Sequence, residues 1–183
     1  MSYLYNNRVG FISEAVDAFG RLQAVNLYTL FDSQHRYQDN GKFDTQVSFG
    51  GTASHNINES TISLTIGTTS GSEVIRESKV VVPYQPGKSL LAIQTFAMNS
   101  AKEGLRQRVG YFGSQNGIFL EQNGLTASFV LRSYVTGTTD DSRKIPQSQW
   151  NKDTFDGKGP SGTTIDLTKA NIFWTDIEWL GVG

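Results

Sequence analysis

The sequence predicts an all-β protein, an antiparallel β-sandwich or jelly roll, on three observations. Thr61-Ile-Ser-Leu-Thr-Ile66 alternates strictly between polar and apolar residues, which is the period of a strand with one buried face. Later apolar runs are separated by Asn116-Gly117 and Asn123-Gly124. Asn-Gly between such runs signals a hairpin, because both central residues of a type I′ turn need positive φ. Finally, 19 glycines in 183 residues and only 18% charged residues suit a chain of strands and tight turns.

Taken in order, the first fifty residues differ from the rest. Phe11, Ala15, Ala18, Phe19 and Leu22 recur at roughly helical spacing, which predicts a short amphipathic helix weakened by Gly20. The mixed pattern from Leu22 to Phe31 reads as an extended arm. Asn40-Gly41 and Gly50-Gly51 mark turns. The expected organisation is therefore an attachment arm over residues 1–50 and a β-sandwich domain over 51–183. Within that domain, Ile62, Leu64 and Ile66 should point inward. Further strands are expected around Glu73 to Val82, Leu90 to Met98, Val109 to Phe112, Ile118 to Glu121 and Thr126 to Val135. Pro86-Gly87 fits positions i+1 and i+2 of a type II turn. Residues 137–162 read as loop, and Ile172 to Leu180 as the last strand.

Composition narrows the function. Sixteen basic and seventeen acidic residues give no general attraction to nucleic acid or anionic membranes. The absence of cysteine excludes disulfides and thiolate metal sites. No apolar run approaches the roughly 20 residues of a membrane span, and the start lacks the basic-then-apolar plan of a signal peptide. Synthesis in a cytoplasm, no membrane insertion and no cofactor are the expectations.

Most candidate chemistry resolves into structure. His35 and His55 have no partner at metal-ligand spacing. Gly157-Lys-Gly-Pro-Ser-Gly162 resembles a phosphate loop, but its lysine stands near the start and Pro160 removes a donor, so a structural turn is expected. Asn151-Lys-Asp-Thr-Phe-Asp-Gly157 resembles a calcium loop with Phe155 in the third ligand slot and no bidentate glutamate beyond. Asp140-Asp141 reads as a solvated turn. Lys102, Arg106 and Arg108 form a modest basic cluster, read as a surface or interface feature rather than a nucleic-acid site.

The last strand carries two carboxylates on one face. Ile172, Trp174, Asp176, Glu178 and Leu180 share one side, and Phe173, Thr175, Ile177 and Trp179 the other. Arg132 and Lys169 are candidate partners for the acidic pair. Thr175-Asp-Ile-Glu-Trp-Leu-Gly181 resembles the active-site strand of laminarinase-like glycoside hydrolases, which are concanavalin-type jelly rolls. The resemblance puts Asp176 at the tuning aspartate and Glu178 at the acid/base. The nucleophile position holds Trp174, and a retaining mechanism needs a carboxylate there.

A broader resemblance spans residues 50–183. The blocks Tyr84-Gln-Pro-Gly-Lys-Ser89, Leu105-Arg-Gln-Arg-Val-Gly-Tyr-Phe-Gly113, Asn116-Gly-Ile-Phe-Leu-Glu-Gln-Asn-Gly124, Phe129-Val-Leu-Arg-Ser133 and Asp156-Gly-Lys-Gly-Pro-Ser-Gly162 look like a recurrent domain of tailed-bacteriophage virion structural and tail-fibre-like proteins. It implies a non-enzymatic role in the virion and assembly with other virion proteins and as a homo-oligomer, a trimer or ring. It also implies β-structure beyond the last strand, from missing sequence or a neighbouring subunit. A carbohydrate-binding module that recognises a host surface glycan is the alternative, with Tyr111, Trp150, Trp174 or Trp179 stacking on sugar rings. Trp150, Trp174, Asp176 and Glu178 are the candidate carbohydrate or interface surface.

Overall fold

The computed structural model describes residues 28–85 and 88–178. Its regular secondary structure is almost entirely strand, in antiparallel sheets, so the predicted all-β class holds. The expected helix around residues 11–22, the Pro86-Gly87 turn and Trp179 to Gly183 lie outside the described residues. The chain divides into two compact units, Met1–Pro83 and Tyr84–Gly183. The expected domain start at residue 51 falls inside the first.

In the first unit, β1 (Phe43–Ser48) pairs with β4 (Glu73–Ser78), and β2 (Thr52–Asn56) pairs with β3 (Thr61–Thr65). β1 lies in the segment read as an arm, although Phe43, Thr45 and Val47 alternate with polar residues as a strand requires. Ile62 is half-buried, but Leu64 and Ile66 stay exposed, contrary to the alternation. A two-stranded ribbon covers a side chain only where another element lies on it.

The turn from β1 to β2 is centred on Phe49 and Gly50, at φ 47° and 85°, and Gly51 N–H donates to the Ser48 carbonyl at 3.1 Å. Two consecutive positive φ values are the type I′ pattern, which suits Asn-Gly and burdens a residue with a bulky Cβ by roughly 1–2 kcal/mol. Phe49 is mostly exposed and rests against Gly71. Phe49→Asn is therefore expected to raise stability by about 1 kcal/mol. A urea midpoint that stays put or falls would show that the ring contact outweighs the backbone relief.

In the second unit, β6 (Arg106–Phe112), β7 (Gly117–Asn123), β8 (Thr126–Ser133) and β9 (Asp140–Pro146) form a four-stranded meander. Each strand lies beside its neighbour in sequence, and the Greek-key crossing of a jelly roll is not found among the described strands. β5 (Leu90–Phe96) and β10 (Asn171–Ile177) make a separate ribbon. Met98, Leu120, Ala127 and Leu167 are buried together, with Phe96, Val109, Phe129 and Phe173 against them. Phe173 of the ribbon stacks on Phe129 of the meander at 5.9 Å, so sheet and ribbon share one core as two layers.

Both expected hairpins form, with turns placed differently. β7 and β8 are joined through Gly124 and Leu125, since Asn123 pairs with Thr126. Positive φ falls on Gly124 alone, so glycine takes the first central position, as in a type II′ turn. Between β6 and β7 the loop is Gly113 to Asn116, and Gly117 already belongs to β7, opposite Phe112.

β9 was not expected at all. Its sequence, Asp-Asp-Ser-Arg-Lys-Ile-Pro, has neither β-propensity nor apolar alternation. It is a strand because charged side chains of the other three strands hold it.

Candidate interaction surface

The β5–β10 ribbon turns one face to the core and one outward. Phe173, Thr175 and Ile177 lie on the inner side, where Thr175 is buried. On the outer side Trp174 pairs across the ribbon with Ile93, Ile172 with Thr95 and Asp176 with Leu91. Three large apolar side chains of this face are open: Trp174 is 47% exposed, Ile93 53% and Ile172 68%. Single exposed apolar residues are ordinary, whereas three neighbouring ones on one face of a ribbon form a patch of the kind that marks contact surfaces. Asp176, half-buried, continues this face at one end, and Glu178 is exposed just past the end of β10. Trp174 and Asp176 are thus brought together as the alternation predicted, whereas Glu178 lies beyond the strand that was to carry it.

Trp150 is elsewhere. Its ring stacks on Phe129 at 4.5 Å and meets Phe155 edge-on at 6.4 Å. Its Nε1–H donates to the Ile145 carbonyl at 3.1 Å. It packs against the core on the inner side of the ribbon, so Trp150 and Trp174 do not form one platform. Tyr111 is also half-buried, and burial pushes its phenol pKa up.

The opposite face of the meander holds an ionic network that the sequence did not disclose. Glu121 on β7 is 2% exposed. Its carboxylate accepts from Arg106 on β6 and from Lys144 Nζ on β9, the latter at 2.6 Å. Asp141 on β9 accepts a fork from Arg132 on β8, Nε at 2.8 Å and Nη2 at 2.9 Å, and a further bond from Arg106 at 3.1 Å. Arg132 Nη1 also donates to the Gly113 carbonyl at 3.0 Å. Hydrogen bonds from Arg132, with help from Arg106, hold the Asp141 carboxyl at about 2. The chain thereby corrects two expectations: Asp141 sits in a strand rather than a solvated turn, and Arg132 serves it rather than Asp176 or Glu178. A register shift in β8–β9 between Leu131 and Ser133 rephases the pairing by one residue and brings Asp141 alongside Arg132.

Phe119 lies on that same face and is fully buried. It packs on Phe112 at 4.5 Å and under the Arg132 guanidinium at 5.2 Å. Gly110, its partner on β6, makes the approach possible, because a Cβ there would stand 2.6 Å from Phe119 Cα and 2.4 Å from the Ile118 carbonyl oxygen.

The loop over residues 151–162 is self-bonded. Asp153 accepts from the amides of Phe155 at 2.7 Å and Ser161 at 2.8 Å, and Asp156 accepts from Thr154 Oγ1 and the Lys158 amide. The Ser161 and Thr154 hydroxyls lead the effects that lower the two carboxyl pKa values. Their oxygens are engaged as turn caps, in keeping with the structural turn expected at Gly157 to Gly162. Among the described residues no group of three or more His, Asp or Glu side chains could hold a metal ion.

In the first unit, His55 Nε2 lies 2.7 Å from the His35 carbonyl oxygen. Arg76 donates to Asp39 Oδ1 at 2.7 Å and to Thr45 Oγ1 at 2.7 Å. Burial, followed by the nearby Arg76 charge, lowers the pKa of His35. Isolation in sequence concealed this cluster, because its members come from the segment before β1 and from three different strands. Comparison of the chain with family models, with curated proteins and with solved structures finds no match in any of the three.

Proposed function

We propose that the protein is a non-enzymatic structural component of a bacteriophage virion that works by protein–protein assembly. The observation that carries this reading is the outer face of the β5–β10 ribbon, where Ile93, Ile172 and Trp174 are open to solvent on an antiparallel pair. Such a face supports docking on another virion protein better than it supports catalysis. Trp174 stands where a retaining hydrolase needs its nucleophile, while Glu121 and Asp141 are engaged in ion pairs and Asp153 and Asp156 in turn caps. The resemblance of residues 50–183 to virion proteins supports the same reading.

Purified particles probed with antibody to this chain should be labelled at a fixed position. Trp174→Asp, with circular dichroism unchanged, should lose incorporation at least tenfold, as expected for a central interface aromatic. Absence of the chain from purified particles would sink the proposal.

A second reading, binding of a host surface glycan, draws on the exposed Trp174 indole with Asp176 beside it. A glycan array of the assembled protein tests it, and an array without a single hit removes it.

A further inference from the structure

The first unit contains a cleft of about 430 Å³ between its two ribbons. This lies within the range of roughly 300–1,000 Å³ typical of small-molecule sites. Its lining is divided by chemistry. Val47, Ala53 and Ile62 supply apolar surface, and Asp39, Arg76 and His55 supply a polar wall, with Thr52 and Ser54 hydroxyls at the margin.

That wall is preorganised. The Arg76 side chain is only 9% exposed. Its guanidinium is fixed by Asp39 and Thr45 and lies over the Phe43 ring at 4.9 Å. Asp39 takes Arg76 and the Gly41 amide on Oδ1, which leaves Oδ2 as an acceptor. The bond from His55 to the His35 carbonyl requires the proton on Nε2, because a carbonyl only accepts. In the tautomer with its single proton on Nε2, the ring presents Nδ1 as a second acceptor. Guanidinium N–H groups beyond the two already used remain as donors beside these acceptors.

This arrangement selects a ligand class. The carboxylate beside the guanidinium disfavours a free anion, and the guanidinium disfavours a free cation. Among the described residues no Phe, Tyr or Trp lines the cleft to stack a planar base. A hydroxyl can donate to Asp39 Oδ2 while accepting from Arg76, and neighbouring hydroxyls on a ring repeat that pattern. The C–H face of the ring would meet Val47, Ala53 and Ile62. We propose that the cleft binds a neutral polyhydroxylated ring, a hexose, through paired hydroxyls on Asp39, Arg76 and His55. This site is independent of the β5–β10 face and does not rest on the assembly reading.

The test uses the full chain and methyl hexosides of gluco, galacto and manno configuration, with a trisaccharide of each as a parallel arm. Saturation-transfer NMR should show transfer to at least one hexoside, and its addition should shift the ring signals of His55. Ala53→Leu, which fills the apolar floor and leaves the polar wall intact, should abolish both effects. Trp174→Asp should leave both unchanged. Transfer to the methyl hexoside marks a site for a single ring, and transfer to the trisaccharide alone marks a site for a ring within a chain; both support the proposal. The His55 shift reads the wild type directly, so it decides the matter even where Ala53→Leu does not fold. No transfer to any probe, transfer without a His55 shift, or transfer that survives Ala53→Leu but is lost in Trp174→Asp overturns the cleft as the site.

Discussion

Phe119→Ala is expected to lower the stability of the protein by about 3–5 kcal/mol, the range for truncating a fully buried aromatic residue. Phe119 has no exposed surface, and its ring fills the space above Gly110 between Phe112 and the Arg132 guanidinium. Alanine would remove that filling and leave the guanidinium without the ring beneath it. Since a domain of this size is stable by only about 5–15 kcal/mol, the variant should unfold at far lower urea, followed by circular dichroism. Phe119→Leu keeps most of the volume and should recover more than half of the loss. A loss below about 1 kcal/mol for the alanine variant would show that the ring does not pack as described.

Breaking the Arg132–Asp141 fork should cost about 1.5–3 kcal/mol, the range for hydrogen bonds to charged groups. Arg132 is 9% exposed and Asp141 19%, and without Arg132 the Asp141 carboxylate keeps only its bond from Arg106. Arg132→Ala should be strongly destabilising, and Arg132→Met with Asp141→Asn should recover part of the loss. A double-mutant cycle measures the coupling, and additivity of the two substitutions would exclude the pair as a unit.

The acid limb is a separate reading of the same contact. Asp141 has a folded-state pKa of about 2, below its ordinary 3.8. Its contribution is thus fully present above pH 3.8 and is lost as pH falls towards 2, on the order of 2 kcal/mol in all. Asp141→Asn should flatten that part of the stability profile. Unchanged acid sensitivity would assign the limb to other carboxylates.

The strands with clean signals were legible in sequence. The Thr61 to Ile66 alternation, the apolar run from Leu90 and the glycine-punctuated hairpins after Val109 all correspond to strands, since period and turn chemistry are local properties. The hairpin register was not legible at Asn123-Gly124. Pairing of Asn123 with Thr126 is fixed by what both strands pack against, and it moved the turn by one residue. The outer face of β10 was also readable, because alternation alone puts Trp174 and Asp176 on one side.

Exposure was not readable in the same way. Trp150 and Trp174 carry the same side chain, yet one stacks in the core and the other stands open. That difference depends on Phe129 and Phe173, which reach the same place from different strands.

By itself, then, the sequence determined the all-β class, most of the strands and the two faces of β10, because backbone periodicity and turn residues act over a few neighbouring positions. Only the tertiary structure decided that Asp140 to Pro146 is a strand, that Arg132 belongs to Asp141, and that Asp39, His55 and Arg76 share a cleft. Charged side chains have no periodic signature in sequence, and burial with a partner depends on distance in space. The partners here lie 9 residues apart for Arg132 and Asp141 and 37 apart for Asp39 and Arg76, so only folding brings them together.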